Sequence, residues 1–407
     1  MATPHLVVTF DFSSGAVFGY PFIIGEGLLG FNTLADEAAD TIDISNQVNK
    51  VTIRRGYNLL QEQFQAGIAS VRVLDPNGDW NPTNPASPYY GKLVPLRKVR
   101  VSADDNFLFS GYTTAYNYTW DKEQNIGYVD IELADAFRLF NMSSITSVTG
   151  ATAGETTGER ITDILDTIGF PSSMRDIETG ATTVQADPGT SRTSLQAIQN
   201  MEFSEQGAFY IGTSGNAEFH SRAYIQSKSG ANPTFFSNDG TGISYRNIVT
   251  ALDDKLIINQ TSITRAGGNA QTASNTASQI KYFPHSYTAT DLLIETDAQA
   301  LDIALAYTAT RAETTLRVDS LQLDLNTADY AAGTTAALTL DFFDTIRVKN
   351  VGQDGSTIDK TLQCMGVTHE ITPTTWLTTF VTSEPIIDSF IIDSALYGII
   401  GTSVMTY

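Results

Sequence analysis

The 407-residue chain has a single cysteine, Cys364. One thiol closes no disulfide within a chain and builds no cysteine-based zinc site. The four histidines, His5, His220, His285 and His369, lie far apart. Positive charge is scarce: 24 Lys and Arg stand against 45 Asp and Glu, a formal net charge of −21. Such a chain does not grip a nucleic-acid backbone, which demands clustered cations. Its surface repels one instead. No apolar run approaches the roughly 18 residues of a membrane helix. The opening "MATPHLVVTFDFSSG" shows no basic region ahead of an apolar core. It is not read as a signal peptide, and synthesis and assembly in a cytoplasm are expected. Catalytic signatures are missing as well: no HExxH, no GxSxG and no Cys/His arrangement. "GATAGETTGER" (150–160) lacks the lysine of a phosphate loop. His369 and Glu370 sit in an alternating strand, which sends their side chains to opposite faces. Neither an enzyme nor a cofactor or metal site is expected.

What is present points to β-structure. Hydrophobic residues make up 42% of the chain and charged residues only 17%, with Thr, Ser, Gly, Tyr and Val abundant. "HLVVTFDF", "NKVTIRRGY", "IASVRVLD" and "IGYVDIELADAF" alternate apolar and polar residues. Residues 1–143 therefore read as a β-barrel or sandwich. Residues 144–244 read as a small α+β insert. Ile161, Ile164, Leu165 and Ile168 recur at helical spacing before Gly169, and Leu195, Ile198 and Met201 mark a second helix. Strands return over 245–385, interrupted by one helix at "TDAQALDIALAYTATR" with Thr296 or Asp297 as its cap. No internal repeat is visible, yet the two strand-rich parts are expected to share a strand order. Residues 386–407 are apolar, with Phe390, Leu396, Tyr397, Ile399 and Ile400 among them.

The stretch "VRVLDPNGDWNPTNPASPYYGKLVPLRKVRV" (71–101) is the most unusual. Asp75, Asn77 and Asp79 match the first ligands of a calcium loop, but Trp80 and Ala86 stand where a Gly and a Glu are required. The residues fit a turn braced by Asx side chains. Pro76, Pro82, Pro85 and Pro88, with Trp80, Tyr89 and Tyr90, predict a stiff contact loop. Arg54, Arg55, Arg97, Lys98 and Arg100 are local cations in an acidic chain. Two readings of them stand side by side: solvated strand faces, or partners of an acidic neighbour across an interface.

The order of these pieces resembles the minor tail or tail-tip hub proteins of long-tailed phages. An Arg-bearing strand leads to a strand with Gly67, then to the loop with Asp75, Asn77, Gly78 and Pro82. "SPYYGKL" and a strand with Phe109 and Gly111 follow, and "GVTHEITPTTWLTTFVTS" closes the pattern. The resemblance implies a mainly β chain with an α+β insert and two related β-barrel hub domains. Three chains would form a pseudo-sixfold ring that adapts a hexameric tail tube to a trimeric tip. It implies a virion protein with a distal tail protein or tube ring, a tape-measure protein and tail fibre or tip proteins as partners. DNA would pass the lumen without specific binding. Trp80, Tyr89 and Tyr90 are then the expected subunit contacts, with Arg54, Arg55, Arg97, Lys98 and Arg100 as their rim. Phe390, Leu396, Tyr397, Ile399 and Ile400 would close the ring or pack on the second barrel. The alternatives are a carbohydrate-binding tail protein, with exposed aromatic rings stacking on sugars, or a tail-associated wall hydrolase.

Overall fold

Alternation becomes burial in the strand Gln63–Asp75. Ala69, Val71, Val73 and Asp75 point inward, while Ile68, Ser70, Arg72 and Leu74 point outward. The computed structural model describes residues 4–12, 18, 40–58, 63–123, 125–228, 232–326 and 330–385. These residues are mainly β with α+β parts. Thirteen strands form one sheet that runs from Thr41–Asp43 at one end to Asn247–Ala251 at the other.

The sequence reading expects two separate barrels. The structure instead joins both halves edge to edge. The Thr357–Ile371 strand pairs with Trp376–Ser383 on one side. On the other it pairs first with Thr345–Val351 and then with Val48–Asn58 of the N-terminal half. At this seam Gly56 and Gly366 face each other, and a Cβ on Gly56 would stand 2.7 Å from the Gly366 Cα. Among the described residues no pair joins the two ends of the sheet, so no closed barrel is present.

The shared strand order is there. In chain order, the first half offers Leu6–Asp11, Val48–Asn58, Gln63–Asp75, Lys98–Ala103, Asn106–Asp121 and Ile126–Ala134. In the sheet they lie first, fourth, fifth, sixth, third, second. The second half offers Thr234–Ser237, Asn247–Ala251, Arg317–Asp324, Thr345–Val351, Thr357–Ile371 and Trp376–Ser383, and they lie in the same order. The likeness extends to detail. Both long fifth strands are bulged against the sixth, between Thr113 and Ala115 and between Cys364 and Gly366. Leu96 and Phe343 both adopt left-handed backbone, at φ 65° and 66°. Each donates its N–H over 2.7 Å to the carbonyl just before the bulge, of Thr113 and Cys364 respectively. Non-glycine residues seldom adopt this conformation, so its recurrence at one topological position marks one unit used twice. The halves differ in one pairing: the first and fourth strands run antiparallel in one and parallel in the other.

Two helical parts interrupt the sheet. Helix Thr157–Thr167 is capped by Thr156 in a capping box with Glu159, and Gly169 after it takes φ +73°. Helix Ser194–Glu205 is capped likewise by Thr193 and Gln196. Both pack on a small sheet of Ala208–Ile211, Ala217–His220 and Arg175–Ile177. Residues 252–316 hold a further unit. Gln260–Arg265, read from sequence as part of the second barrel, belongs instead to a three-stranded sheet covered by helix Asp297–Thr310. Its own core of Ile263, Leu292, Ile294, Ala300 and Ala304 separates it from the large sheet. Thr296 is the helix cap.

Candidate functional site

The proline loop is built around one carboxylate and one indole. Asp75 accepts the backbone N–H groups of Asp79 (2.7 Å) and Trp80 (3.0 Å). The carboxylate braces the turn at Asn77-Gly78 from its base, and Asx bonds proper follow it, with Asn81 accepting the Thr83 N–H and Asn84 the Ala86 N–H. The Asn84 side chain donates to the Gly78 carbonyl at 2.8 Å, and the Ser87 hydroxyl to that of Asp79. Trp80 is driven wholly inside. Its Nε1 donates to Gln47 at 2.8 Å, and its ring meets Phe10 at 5.5 Å and Tyr89 at 4.9 Å. The loop is thus a rigid excursion rooted in its own core, with Tyr90 left outside at 55% exposure.

The expected rim residues divide the same way. Arg55 is buried and ties three parts of the chain together. It pairs with Asp341 at 3.2 Å, donates to the Ile211 carbonyl at 3.2 Å, and lies over the Phe342 ring at 4.7 Å. Lys98 is buried opposite Asp11, and burial pulls its pKa down to about 8. Arg100 is buried over the Phe107 ring, 4.5 Å from its centroid. Arg97 is half-buried, and its backbone carbonyl accepts the Thr113 N–H. Arg54 is exposed, beside the seam cleft formed with Gly366 and Thr368. So Trp80, Arg55, Lys98 and Arg100 spend their surface inside the chain. Phe390, Leu396, Tyr397, Ile399 and Ile400 lie outside the described residues.

His369 and Glu370 do face opposite ways. His369 is buried against Trp376 and Thr378, and burial holds its pKa down at about 3, while Glu370 is exposed. Among the described residues no group of His, Cys, Asp and Glu is placed to hold a metal. No described helix is long and apolar enough to cross a membrane.

A second surface lies outside the expected contact set. Trp120, at the end of Asn106–Asp121, is 51% exposed, and Val249 in the terminal strand Asn247–Ala251 is 45% exposed. Both lie on strand edges with one partner strand only. "NIVTAL" was legible as a strand, but not as the edge of a sheet.

The same fold occurs in solved phage tail proteins. The prophage MuSo2 43 kDa tail protein from Shewanella oneidensis matches with a TM-score of 0.57 at 11% identity, over 85% of this chain and 96% of that one. The chain has the fold of a phage tail protein. A tail protein from Neisseria meningitidis MC58 matches at 0.56 and 11% identity, over 83% and 93% of the two chains. Prophage tail protein gp18 from Listeria monocytogenes EGD-e matches at 0.50 and 10% identity, over 93% and 94%. No family model and no curated protein matches the sequence. The tail-protein fold is carried by strand order and packing, with little left in residue identity.

Proposed function

We propose that the chain is a structural, non-enzymatic hub of a phage tail tip, trimeric as a ring of six related hub units. The observation that carries this reading is the strand order used twice in one chain. Three copies of a two-unit chain present six similar units, which meet a sixfold tube on one side and a threefold tip on the other. The expected division at residues 143, 244 and 385 enters this reading with two adjustments: Thr234–Ser237 pairs into the second unit, and residues 252–316 form a unit inserted within it. In the assembled virion the ring binds a tube or distal tail ring, a tape-measure protein and fibre or tip proteins. Its acidic surface lets DNA slide through without binding. Residues 386–407 close the lumen or pack on the ring.

The sugar-binding alternative needs exposed rings, and two of the three tryptophans, Trp80 and Trp376, are buried. The test of the hub is the mass of the purified chain in solution, with particle images. A ring-shaped trimer is the expected result. A monomer at all concentrations up to those of tail assembly overturns the reading.

A further inference from the structure

The two halves differ in how their edges are used. One row of paired residues fixes their equivalence. In the first half Tyr116, Ile131, Val71 and Val51 lie side by side across four strands. In the second half Val367, Phe380, Leu321 and Ile248 do the same. Tyr116 therefore corresponds to Val367, Trp120 to Ile371, and Ile248 to Val51. Inside the chain, the Gly366–Ile371 edge is filled by Val48–Asn58, with Ile371 opposite Val51. The corresponding edge of Asn106–Asp121 has no strand on it among the described residues, and neither has the outer edge of Asn247–Ala251.

Burial follows the same division. Gly366, Val367, His369 and Ile371 are buried at the seam, as are Val51, Ile53 and Arg55. Their counterparts Ala115, Tyr116, Tyr118 and Trp120, and Ile248, Thr250 and Leu252, are all half-buried or exposed. Trp120 is 51% exposed where Ile371 is 4%, and Leu252 66% where Arg55 is 6%. An unpaired strand edge with apolar side chains is a template for another strand.

We infer that the Asn247–Ala251 strand of one copy pairs antiparallel with Asn117–Trp120 of the next, repeating between copies the seam within each chain. This deepens the hub reading and rests on it. The equivalence fixes the register: Trp120 opposite Ile248, Thr119 opposite Val249, Tyr118 opposite Thr250, and Asn117 opposite Ala251. The contact is head to tail, so it closes only where the rotation permits. The second copy is the fitting occupant because the strand that fills this position inside the chain has one equivalent left over, and that equivalent cannot reach its own free edge at the other end of the sheet.

The test is a cysteine pair, Thr119→Cys with Val249→Cys. Both sites are exposed, and directly opposed residues bring Cβ atoms within about 4.5–5.5 Å, near disulfide reach. Native Cys364 is fully buried and does not compete. Oxidation is expected to convert the trimer into covalent species that stop at three chains and revert on reduction. Thr119→Cys with Thr250→Cys, on opposite faces, is expected to remain single-chain, as is each single variant. A trimer by mass without the in-register cross-link overturns this pairing alone and gives the edge to another occupant, such as the chain's own residues 386–407. A monomer overturns the hub reading itself. Amide exchange in the unmodified protein gives an independent readout: residues 115–120 and 247–251 are expected to slow together as trimer forms, and unchanged exchange there in a formed trimer also overturns the pairing.

Discussion

Arg55 shows what a sequence conceals about a cation. In "TIRRG" Arg54 and Arg55 look alike, but strand alternation sends one outward and one into the join of three chain segments. Removing Arg55 takes the guanidinium from the Ile211 carbonyl and from Asp341, which keeps its bond from the Phe342 N–H. Arg55→Leu is expected to cost about 1.5–3 kcal/mol of unfolding free energy in urea, the range for hydrogen bonds to charged groups, whereas Arg54→Leu should cost little. Two buried acids carry a pH signature. Burial raises the Asp135 pKa to about 7, although its carboxyl accepts the Gly67 and Phe137 N–H groups. Burial likewise raises that of Glu202 to about 8, against bonds from Phe209 and Phe64. Above a pH of about 4 the unfolded carboxyls are ionised while the folded ones stay protonated, so the folded state binds more protons. These two groups therefore add stability at low pH that is lost as pH rises to about 7 and 8. Glu202→Gln keeps an acceptor for Phe209 and removes one titration. Urea unfolding of this variant across about pH 5 to 9 should show a flatter dependence on pH than the parent.

At the scale of elements, alternation and helical spacing were readable because they are local. The strands of the first half and the helices at Thr157–Thr167, Ser194–Glu205 and Asp297–Thr310 follow from period, the third also from its Thr296 cap, whereas the caps Thr156 and Thr193 emerged only in the structure. Thr193→Ala removes a side-chain acceptor from the Gln196 N–H, and a loss of about 1 kcal/mol is expected by thermal unfolding. Helix Tyr330–Thr339 was not readable. "YAAGTTAALT" offers Gly, three Thr and no charged residue, and its helix depends on packing, with Ala337 and Leu338 in a core shared by both halves. The fate of Gln260–Arg265 was hidden for another reason: a strand's own residues do not name its sheet. The buried members of the expected contact set fail similarly, since an aromatic in a stiff loop faces its own core or a neighbour according to tertiary structure. The exposed Trp120 offers the complementary test. Trp120→Lys is expected to weaken trimer formation at least about tenfold in sedimentation, roughly 1.4 kcal/mol, while leaving monomer unfolding unchanged. Equal loss in both would place the ring in the chain's own stability.

At the scale of the whole molecule, three chains of charge −21 each repel one another, and that repulsion opposes assembly. Added salt shortens its reach to about 10 Å at 0.1 M. Trimer formation is therefore expected to strengthen as ionic strength rises from about 0.01 to 0.1 M, where the screening length falls from about 30 Å. Weakening over that range would mean that ion pairs across the contact outweigh the general repulsion.

The seam between Val48–Asn58 and Thr357–Ile371 has a kinetic side. Two units on one polypeptide meet at the high effective concentration set by their tether, independent of how dilute the protein is. Half of the joints in a six-unit ring would then be complete once each chain has folded, and only the other half would wait on collision. Tethering also frees the two kinds of joint to diverge. The internal one can hold a buried arginine and a histidine kept neutral, because it never has to open. The proposed external one is accessible at Trp120 and Val249, as a joint made after folding must be. A ring built from six identical single units has one joint sequence for both tasks, and duplication within a chain removes that constraint.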